Sequence, residues 1–146
     1  MSRSEHFKKE AVVYDLDGTL ADTKKWEKHH KHRHEGFAKE AEEAPEIKKN
    51  VKHLKKDEKK GKKVVILTAR SAHYEKETED WLDKHDIDAD KVVMRPKDDS
   101  KTPDQVIKNR LLDEKVTPKY KVSKAYDDKG KNVKMFKRHG IKAKKV

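Results

Sequence analysis

Short apolar runs separated by long charged stretches constrain this chain more than any other feature of its sequence. Residues 11–16 (AVVYDL), 64–67 (VVIL) and 92–94 (VVM) are apolar enough to form buried strands. Residues 120–126 are a weaker fourth run, and residues 141–146 are a candidate fifth. Because apolar residues recur at helical spacing between these runs, we expect βαβ units around a mostly parallel sheet.

The composition alone would argue against a stable fold. Of the 146 residues, 46% are charged and only 27 are Leu, Ile, Val or Phe, and the formal net charge is +11. Such values are typical of disordered chains. The fold is predicted because the apolar residues are concentrated in the few runs described above.

We predict one domain over residues 1–146, with a charged helical insert at residues 24–63 between the first two strands. Cysteine is absent, and no apolar run is long enough for a signal peptide or a membrane span. We therefore expect a soluble cytoplasmic protein without a membrane partner. Its positive charge favours polyanionic partners such as nucleic acid.

Polar side chains follow three of the predicted strands. In an open parallel sheet, ligands bind outside the carboxyl ends of the strands. We therefore expect one site that gathers the following residues: Asp15, Asp17, Thr68, Arg70, Asp127 and Asp128.

The pair Asp15 and Asp17 suggests chemistry rather than a turn. Residues i and i+2 of a strand point to the same side, so both carboxylates can face one cavity. Gly18 permits a sharp turn and a close approach of the backbone to a ligand. Close carboxylates repel one another unless a cation or a shared proton relieves them, and oxygen ligands of this kind suit Mg²⁺.

The order DLDGTL, VVILTAR, a helical lysine and a strand ending in DD resembles the haloacid dehalogenase-like phosphatase superfamily. The likeness covers nearly the whole chain. It implies an α/β fold, a Rossmann-like three-layer sandwich with a mostly parallel central sheet. Because the insert at residues 24–63 is too small for a large lid, we expect a capless site.

The resemblance implies a role for each catalytic residue. Asp15 would be the nucleophile and form an aspartyl-phosphate, and Asp17 would act as general acid and base. Thr68 would hydrogen-bond the phosphoryl oxygens, and a lysine would neutralise charge. We choose Lys108, whose helix has a clear apolar face and which can pair with Asp104 at i−4, and Lys101 is the alternative.

The same resemblance implies the ligands of a Mg²⁺ ion. Asp15, Asp127 and the backbone carbonyl of Asp17 would bind the metal, and Asp128 would assist directly or through water. Substrate binding would fall to these residues: Arg70, Gly18, Thr19 and Asp104.

Residues 92–112 and 126–141 are similar to the phosphatase domain of bacteriophage polynucleotide kinase-phosphatases, which removes 3′-phosphates from nucleic acid ends. A phage origin is compatible with this likeness. No glycine opens a kinase P-loop, so kinase activity is not expected. Two departures are Thr102, where the family often has arginine, and the lysines Lys121 and Lys124 in the fourth strand.

We therefore expect a Mg²⁺-dependent phosphomonoesterase acting on nucleic acid 3′-ends. A nucleotidase or general small-substrate phosphatase is the alternative within enzymes. A basic nucleic-acid-binding module without catalysis is the alternative of another class, although a pure binder has no need of Asp15 beside Asp17.

The histidine run and the two tryptophans have simpler explanations than a functional site. Within the run His29–Glu35, His30 and His34 lie at i and i+4 with Glu27 one turn before, and could form a zinc site on one helical face. A basic solvated helix, which could contact phosphate, is the simpler explanation. Trp26 and Trp81 are expected to pack in the core or between helices rather than stack on nucleic acid bases.

Overall fold

The computed structural model describes residues 8–27 and 41–146, with the side chains of residues 26 and 27 excepted. Its strands are β1 (Lys9–Tyr14), β2 (Lys63–Ser71), β3 (Lys91–Arg95), β4 (Tyr120–Asp127) and β5 (Lys142–Lys145). Its helices are α1 (Lys24–Glu27), α2 (Lys48–Lys59), α3 (Glu75–Lys84), α4 (Asp104–Leu111) and α5 (Gly130–Arg138). Single 3₁₀ turns lie at Ala41–Glu43 and Ala72–Tyr74, and α4 continues into a π-helical turn at Leu112–Val116.

The five strands form one parallel sheet in the order β3-β2-β1-β4-β5. The chain thus starts at the centre, winds to one edge through β2 and β3, and returns to the other edge through β4 and β5. The apolar residues of β1 are fully buried because the strand is covered on both faces and both sides. β1 and β4 are therefore neighbours at the centre, although they are far apart in sequence.

Alternate residues of the strands pack into two separate cores, one on each face of the sheet. On one face, Val13 and Leu67 pack with Ile107 of α4 and Phe136 of α5. On the other face, Val12 and Ile66 pack with residues of α2 and α3, among them Leu54, Trp81 and Leu82. The molecule is the three-layer α/β sandwich that the sequence predicted.

The fourth strand tolerates its lysines because it lies next to an edge of the sheet. Lys121 is exposed, and Lys124 is half-buried with its ammonium 5.5 Å from the centre of the Tyr126 ring. A cation over an aromatic face is favourable, so the strand carries its charge without an unpaired buried group. The two lysines that depart from the family pattern are thus accommodated by the fold.

The two tryptophans have different outcomes. Trp81 is buried, and its indole N–H donates a 2.8 Å hydrogen bond to the carbonyl of Ala44, which confirms the core prediction. The side chain of Trp26 lies outside the described residues, as do residues 28–40 of the charged helical insert predicted at residues 24–63.

None of the helices within residues 8–27 and 41–146 is long and apolar enough to cross a membrane.

The π-helical turn after α4 should contribute to stability through Leu112. This side chain is fully buried against the α4–α5 core, whereas Val106, six residues earlier on α4, is 47% exposed. We expect Leu112→Ala to lower the free energy of unfolding by about 2–5 kcal/mol, because it leaves a cavity. The matched change Val106→Ala should alter it by less than about 0.5 kcal/mol. Urea denaturation measures both, and equal losses would show that the turn does not pack as described.

Candidate active site

The site forms where β1 and β4 end side by side. The N–H of Asp15 donates to the carbonyl of Tyr126 at 3.0 Å, so the pairing of the two strands continues one residue beyond β1. Asp15 and Asp127 each follow a tyrosine that belongs to the α2–α3 core. Because side chains alternate along a strand, both carboxylates point to the opposite face, toward α4 and α5.

Lys108 reaches this corner from α4 and lies between the two carboxylates. Its ammonium is 2.6 Å from Oδ1 of Asp15 and 2.8 Å from Oδ2 of Asp127. The three side chains are almost fully buried. Lys101, the alternative considered from the sequence, is exposed. The structure thus brings Lys108, and not Lys101, to Asp15.

Asp17 is held by Arg70, which arrives from the end of β2. The guanidinium donates from Nη2 to Oδ1 of Asp17 at 2.5 Å and from Nε to Oδ2 at 3.4 Å, and both side chains are buried. A third donor of Arg70, Nη1, bonds the hydroxyl of Thr78 at 3.1 Å. Thr68, also buried, accepts a bond from the Arg70 N–H at Oγ1, so its own hydroxyl hydrogen is left to donate.

Asp128 packs directly against the turn after β1. Gly18 has φ +86°, and a Cβ at this position would come within 2.7 Å of Cγ of Asp128 and closer still to its Oδ2. Only glycine therefore allows the backbone to pass so near this carboxylate. The other oxygen, Oδ1 of Asp128, is buried and has no hydrogen-bond partner among the described residues.

Two hydrogen bonds orient the carboxylates further. The hydroxyl of Thr19 donates to Oδ2 of Asp15 at 3.0 Å. The amide of Asn132, in the first turn of α5, donates to both oxygens of Asp127 at 3.1 and 3.2 Å. Sequence reasoning missed Asn132 and Thr78. A polar residue one helical turn after DD is the signal that could have indicated Asn132.

Asp104 does not pair with Lys108, so this expectation is wrong. Its carboxylate accepts a hydrogen bond from Nη2 of Arg95 at 2.9 Å. Arg95 also donates to the carbonyls of Ala69 at 2.8 Å and Thr102 at 2.7 Å, and thereby ties the end of β2 to the start of α4. Sequence reasoning missed this buried arginine, because its partners are mainly backbone oxygens. The predicted role of Asp104 in substrate binding stays a prediction.

Burial and crowding shape the ionisation of the site. Burial raises the pKa of the Asp15 carboxyl well above its usual range, and the neighbouring Asp127 and Asp128 raise it further, against the attraction of Lys108. Burial alone would lower the pKa of Lys108, but the carboxylates of Asp15 and Asp127 outweigh it and hold that pKa above its usual value. The site contains three carboxylates and one ammonium, so a further cation would neutralise the remaining negative charge.

The donor set fits a divalent cation that prefers oxygen. Asp15, Asp127 and Asp128 each offer an oxygen, and these atoms lie within 4.8 Å of one another. The unpartnered oxygen of Asp128 is the kind of atom that a bound ion would satisfy. The carboxylate of Asp17 does not join this group, since it is bound to Arg70. This agrees with the expectation that Asp17 would offer its backbone carbonyl, which itself stays a prediction.

The histidine run at residues 29–34 lies outside the described residues, so its metal-binding hypothesis stays open.

Comparison with known proteins gives a match over nearly the whole chain. The family model described as the polynucleotide kinase PNKP phosphatase domain matches residues 9–146. A bifunctional polynucleotide kinase/RNA ligase, so named in Autographa californica nuclear polyhedrosis virus, is 34% identical over 74 residues, which are 50% of this chain and 10% of that protein.

Solved structures support the same relationship. A chain from the structure of a Pnkp1/Rnl/Hen1 complex is 30% identical with a TM-score of 0.84, over 96% of this chain and 46% of that one. The class C acid phosphatase from Bacillus anthracis superposes with a TM-score of 0.64 at 18% identity, over 83% of this chain and 52% of that one, and shares the fold. This chain thus spans less than half the length of the first two relatives.

The contact between Gly18 and Asp128 can be tested with a second glycine of similar geometry. Gly61 has φ +83° but no atom within 4 Å of a Cβ at its position. Both Gly→Ala changes strain the backbone, and only Gly18→Ala also clashes with a carboxylate. We expect Gly18→Ala to lower the free energy of unfolding by at least about 1 kcal/mol more than Gly61→Ala.

Thermal unfolding of the two variants measures this difference. In the double variant Gly18→Ala/Asp128→Ala the excess loss should largely disappear. A loss that is the same for the two glycines would contradict the close packing of Asp128 on the turn.

Proposed function

The chain belongs to the family of polynucleotide kinase PNKP phosphatase domains, and from that premise we propose that it is a Mg²⁺-dependent polynucleotide 3′-phosphatase. One observation carries the catalytic part of this proposal. The ammonium of Lys108 lies between Asp15 and Asp127, 2.6 and 2.8 Å away, in a buried corner next to Asp17 and Arg70. A nucleophilic carboxylate, a fixed cation and a second carboxylate are thus within one site.

The first half of the reaction is attack by Asp15. An oxygen of its carboxylate bonds to phosphorus, and the bond from phosphorus to the ester oxygen of the substrate breaks. Asp17 gives that leaving oxygen the proton that it took from water in the preceding turnover. The products are an alcohol and an aspartyl-phosphate on Asp15. Thr19 and Lys108, which each bond one oxygen of Asp15, hold the carboxylate in one orientation for this attack.

The second half releases the phosphate. Asp17, now unprotonated, takes a proton from a water molecule, which attacks phosphorus. The bond from phosphorus to the Asp15 oxygen then breaks and gives inorganic phosphate. The hydroxyl of Thr68 and the guanidinium of Arg70 supply donors for the phosphoryl oxygens in both halves, and Lys108 offsets the negative charge that the phosphoryl group adds to the corner.

Mg²⁺ is the cation that we propose for the carboxylate group. Asp15, Asp127 and Asp128 would hold it, because it prefers carboxylate and phosphate oxygens. When bound, it would neutralise negative charge on the phosphate and on the corner itself.

The substrate class is supported by the family and by charge. The family model is named for the phosphatase domain of a polynucleotide kinase, and the 31%-identical chain of another solved structure comes from what is named an RNA repair complex. The net charge of +11 suits a polyanion. For an enzyme that acts on the ends of nucleic acids, we propose a cytoplasmic location. The name of the viral relative also includes kinase and RNA ligase activities. These are not proposed for this chain, which covers only 10% of that protein.

The two alternatives differ in what they would need. A nucleotidase would use the same chemistry on a mononucleotide. A binding module without catalysis would have to retain three buried carboxylates and a buried lysine, a cluster that is expensive to desolvate and serves no contact with nucleic acid.

Phosphate release from three substrates tests the proposal: an oligonucleotide with a 3′-phosphate, the same oligonucleotide with a 5′-phosphate, and mononucleotides. We expect the highest kcat/KM for the 3′-phosphorylated oligonucleotide, and loss of turnover when EDTA removes metal. Asp15→Asn should reduce turnover by roughly 10³-fold or more, because the nucleophile is lost. Equal rates on all three substrates would rule out the 3′-end assignment.

Two lysines provide a matched control for the catalytic assignment in the same assay. Lys108→Ala should lose most of the turnover, because it removes the cation next to Asp15. Lys101→Ala removes the same charge from an exposed position nearby and should retain turnover within about twofold. A reversed result would show that the lysine assignment is wrong.

Mg²⁺ should raise the melting temperature, because a ligand that binds only the folded state stabilises it by about 2.7 kcal/mol at 100 times its Kd. Asp128→Asn should reduce this shift. Asp80→Asn, a change at an exposed carboxylate on α3, should leave it unchanged. Differential scanning calorimetry with and without Mg²⁺ measures the shift. A wild-type melting temperature that does not respond to Mg²⁺ would contradict the metal assignment.

A further inference from the structure

The positive charge of this protein is concentrated in its last quarter. Residues 115–146 contain twelve Lys and Arg and only two acidic residues, Asp127 and Asp128, which both belong to the site. Residues 1–114 contain 27 basic and 26 acidic residues and are nearly neutral. Nearly all of the net charge of +11 therefore belongs to β4, α5 and β5 and the turns next to them.

The fold assembles these residues at one edge of the sheet. β4 and β5 are the last two strands in the sheet order, and α5 packs on them. On the other face of the sheet, the lysine-rich α2 and the acidic α3 share a layer, so that layer contains charges of both signs. Among the described residues, no ion pair involves a lysine or arginine of residues 119–145, and the one histidine pair there joins His139 to Asp113 at 3.5 Å.

Three of these lysines lie beside the carboxylates. Lys129 precedes α5, and its N–H donates to Oδ1 of Asp127 at 3.0 Å. Lys131 is in the first turn of α5. Lys145 is in register with Asp127 on the neighbouring strand, so their Cα atoms are about 4.8 Å apart and their side chains share a face of the sheet. We call Lys129, Lys131 and Lys145 the site-end lysines.

The site-end lysines are exposed, whereas the carboxylates beside them are buried or half-buried. The corner itself carries three carboxylates against the ammonium of Lys108, so it repels a phosphate dianion that approaches without a counter-charge. Cations at the rim reduce this repulsion and raise the local concentration of a polyanion. Because these lysines are exposed, they are accessible to phosphates other than the one that reacts.

From this arrangement we infer that the site-end lysines bind the phosphodiester backbone of the substrate strand next to its terminal phosphate. The surface would thereby favour a polynucleotide over a mononucleotide, which has no such phosphodiester. The inference rests on the proposed function in that it takes a nucleic acid as the substrate. The bound groups are backbone phosphates, so the surface selects for strand length and not for base sequence.

The same elements provide a matched control at their opposite ends. Lys121, Lys137 and Lys142 are also exposed, and they lie at the start of β4, the end of α5 and the start of β5. Lys142 is in register with Lys124, three residues before Asp127, and Lys121 lies six residues before Asp127. Because these far-end lysines lie toward the ends of the elements opposite the site, they are farther from Asp127 than the site-end lysines are. A triple Lys→Gln variant of either set removes the same charge from the last quarter of the chain.

Steady-state kinetics compares wild type, the site-end variant and the far-end variant on a 3′-phosphorylated oligonucleotide and a nucleoside 3′-monophosphate. We expect the site-end variant to raise KM for the oligonucleotide by about tenfold or more, with kcat within about twofold. Its KM for the monophosphate should change far less, and the far-end variant should change either KM by less than about threefold. The salt dependence of log kcat/KM on the oligonucleotide should fall in slope by about 2 in the site-end variant, since three phosphate contacts are lost.

Equal effects of the two variants would overturn the inference, because they would indicate general attraction without a docking position. An equal rise in KM for both substrates in the site-end variant would also overturn it. Binding of an oligonucleotide with a free 3′-hydroxyl, followed by fluorescence anisotropy, tests the surface without catalysis. If wild type hydrolyses small esters but no oligonucleotide, the proposed function fails, and this binding measurement still decides whether the site-end lysines contact the backbone.

Discussion

The buried ammonium of Lys108 is the contact on which the site depends. A charge removed from water is unfavourable by several kcal/mol unless partners at hydrogen-bond distance replace the solvent. Asp15 and Asp127 are those partners, and each would itself be unfavourable there without the lysine. The three groups thereby connect the ends of β1 and β4 to α4. A charged cluster of this kind stabilises only the arrangement in which all of its members are in place.

The surrounding residues fix this arrangement from several sides. Asn132 holds Asp127 from α5, Thr19 holds Asp15 from the turn after β1, and Arg70 holds Asp17 from β2. Arg95 connects the end of β2 to the start of the helix that carries Lys108. Asp15, Asp17, Asp127 and Lys108 are therefore each held by a residue from another element, as a site needs if its groups are to be positioned before substrate binds.

Local patterns in the sequence were sufficient for the fold and for the acidic residues. Buried strands require apolar runs, so the runs locate the strands. A carboxylate that directly follows such a run lies at the end of the strand, and its position can therefore be predicted from the local sequence. The partner of Asp104 could not be predicted in this way. Lys108 is one helical turn away from it, but Arg95 arrives from β3 and takes the carboxylate, and only the assembled sheet brings that arginine near. Asn132 and Thr78 were missed for the same reason, since both act on residues of other elements.

The distances along the chain between the contacting residues have a consequence for folding. Asp15 and Lys108 are 93 residues apart in the sequence. The paired strands β1 and β4 are separated in the sequence by β2 and β3. Contacts of such separation close large loops and form late, at a high cost in chain entropy. A partly folded chain or an N-terminal fragment therefore contains the motif DLDGTL without a working site. Catalytic activity would consequently measure the fraction of fully folded molecules. A partial unfolding that releases only β4 would abolish activity, because it removes Asp127 from the site.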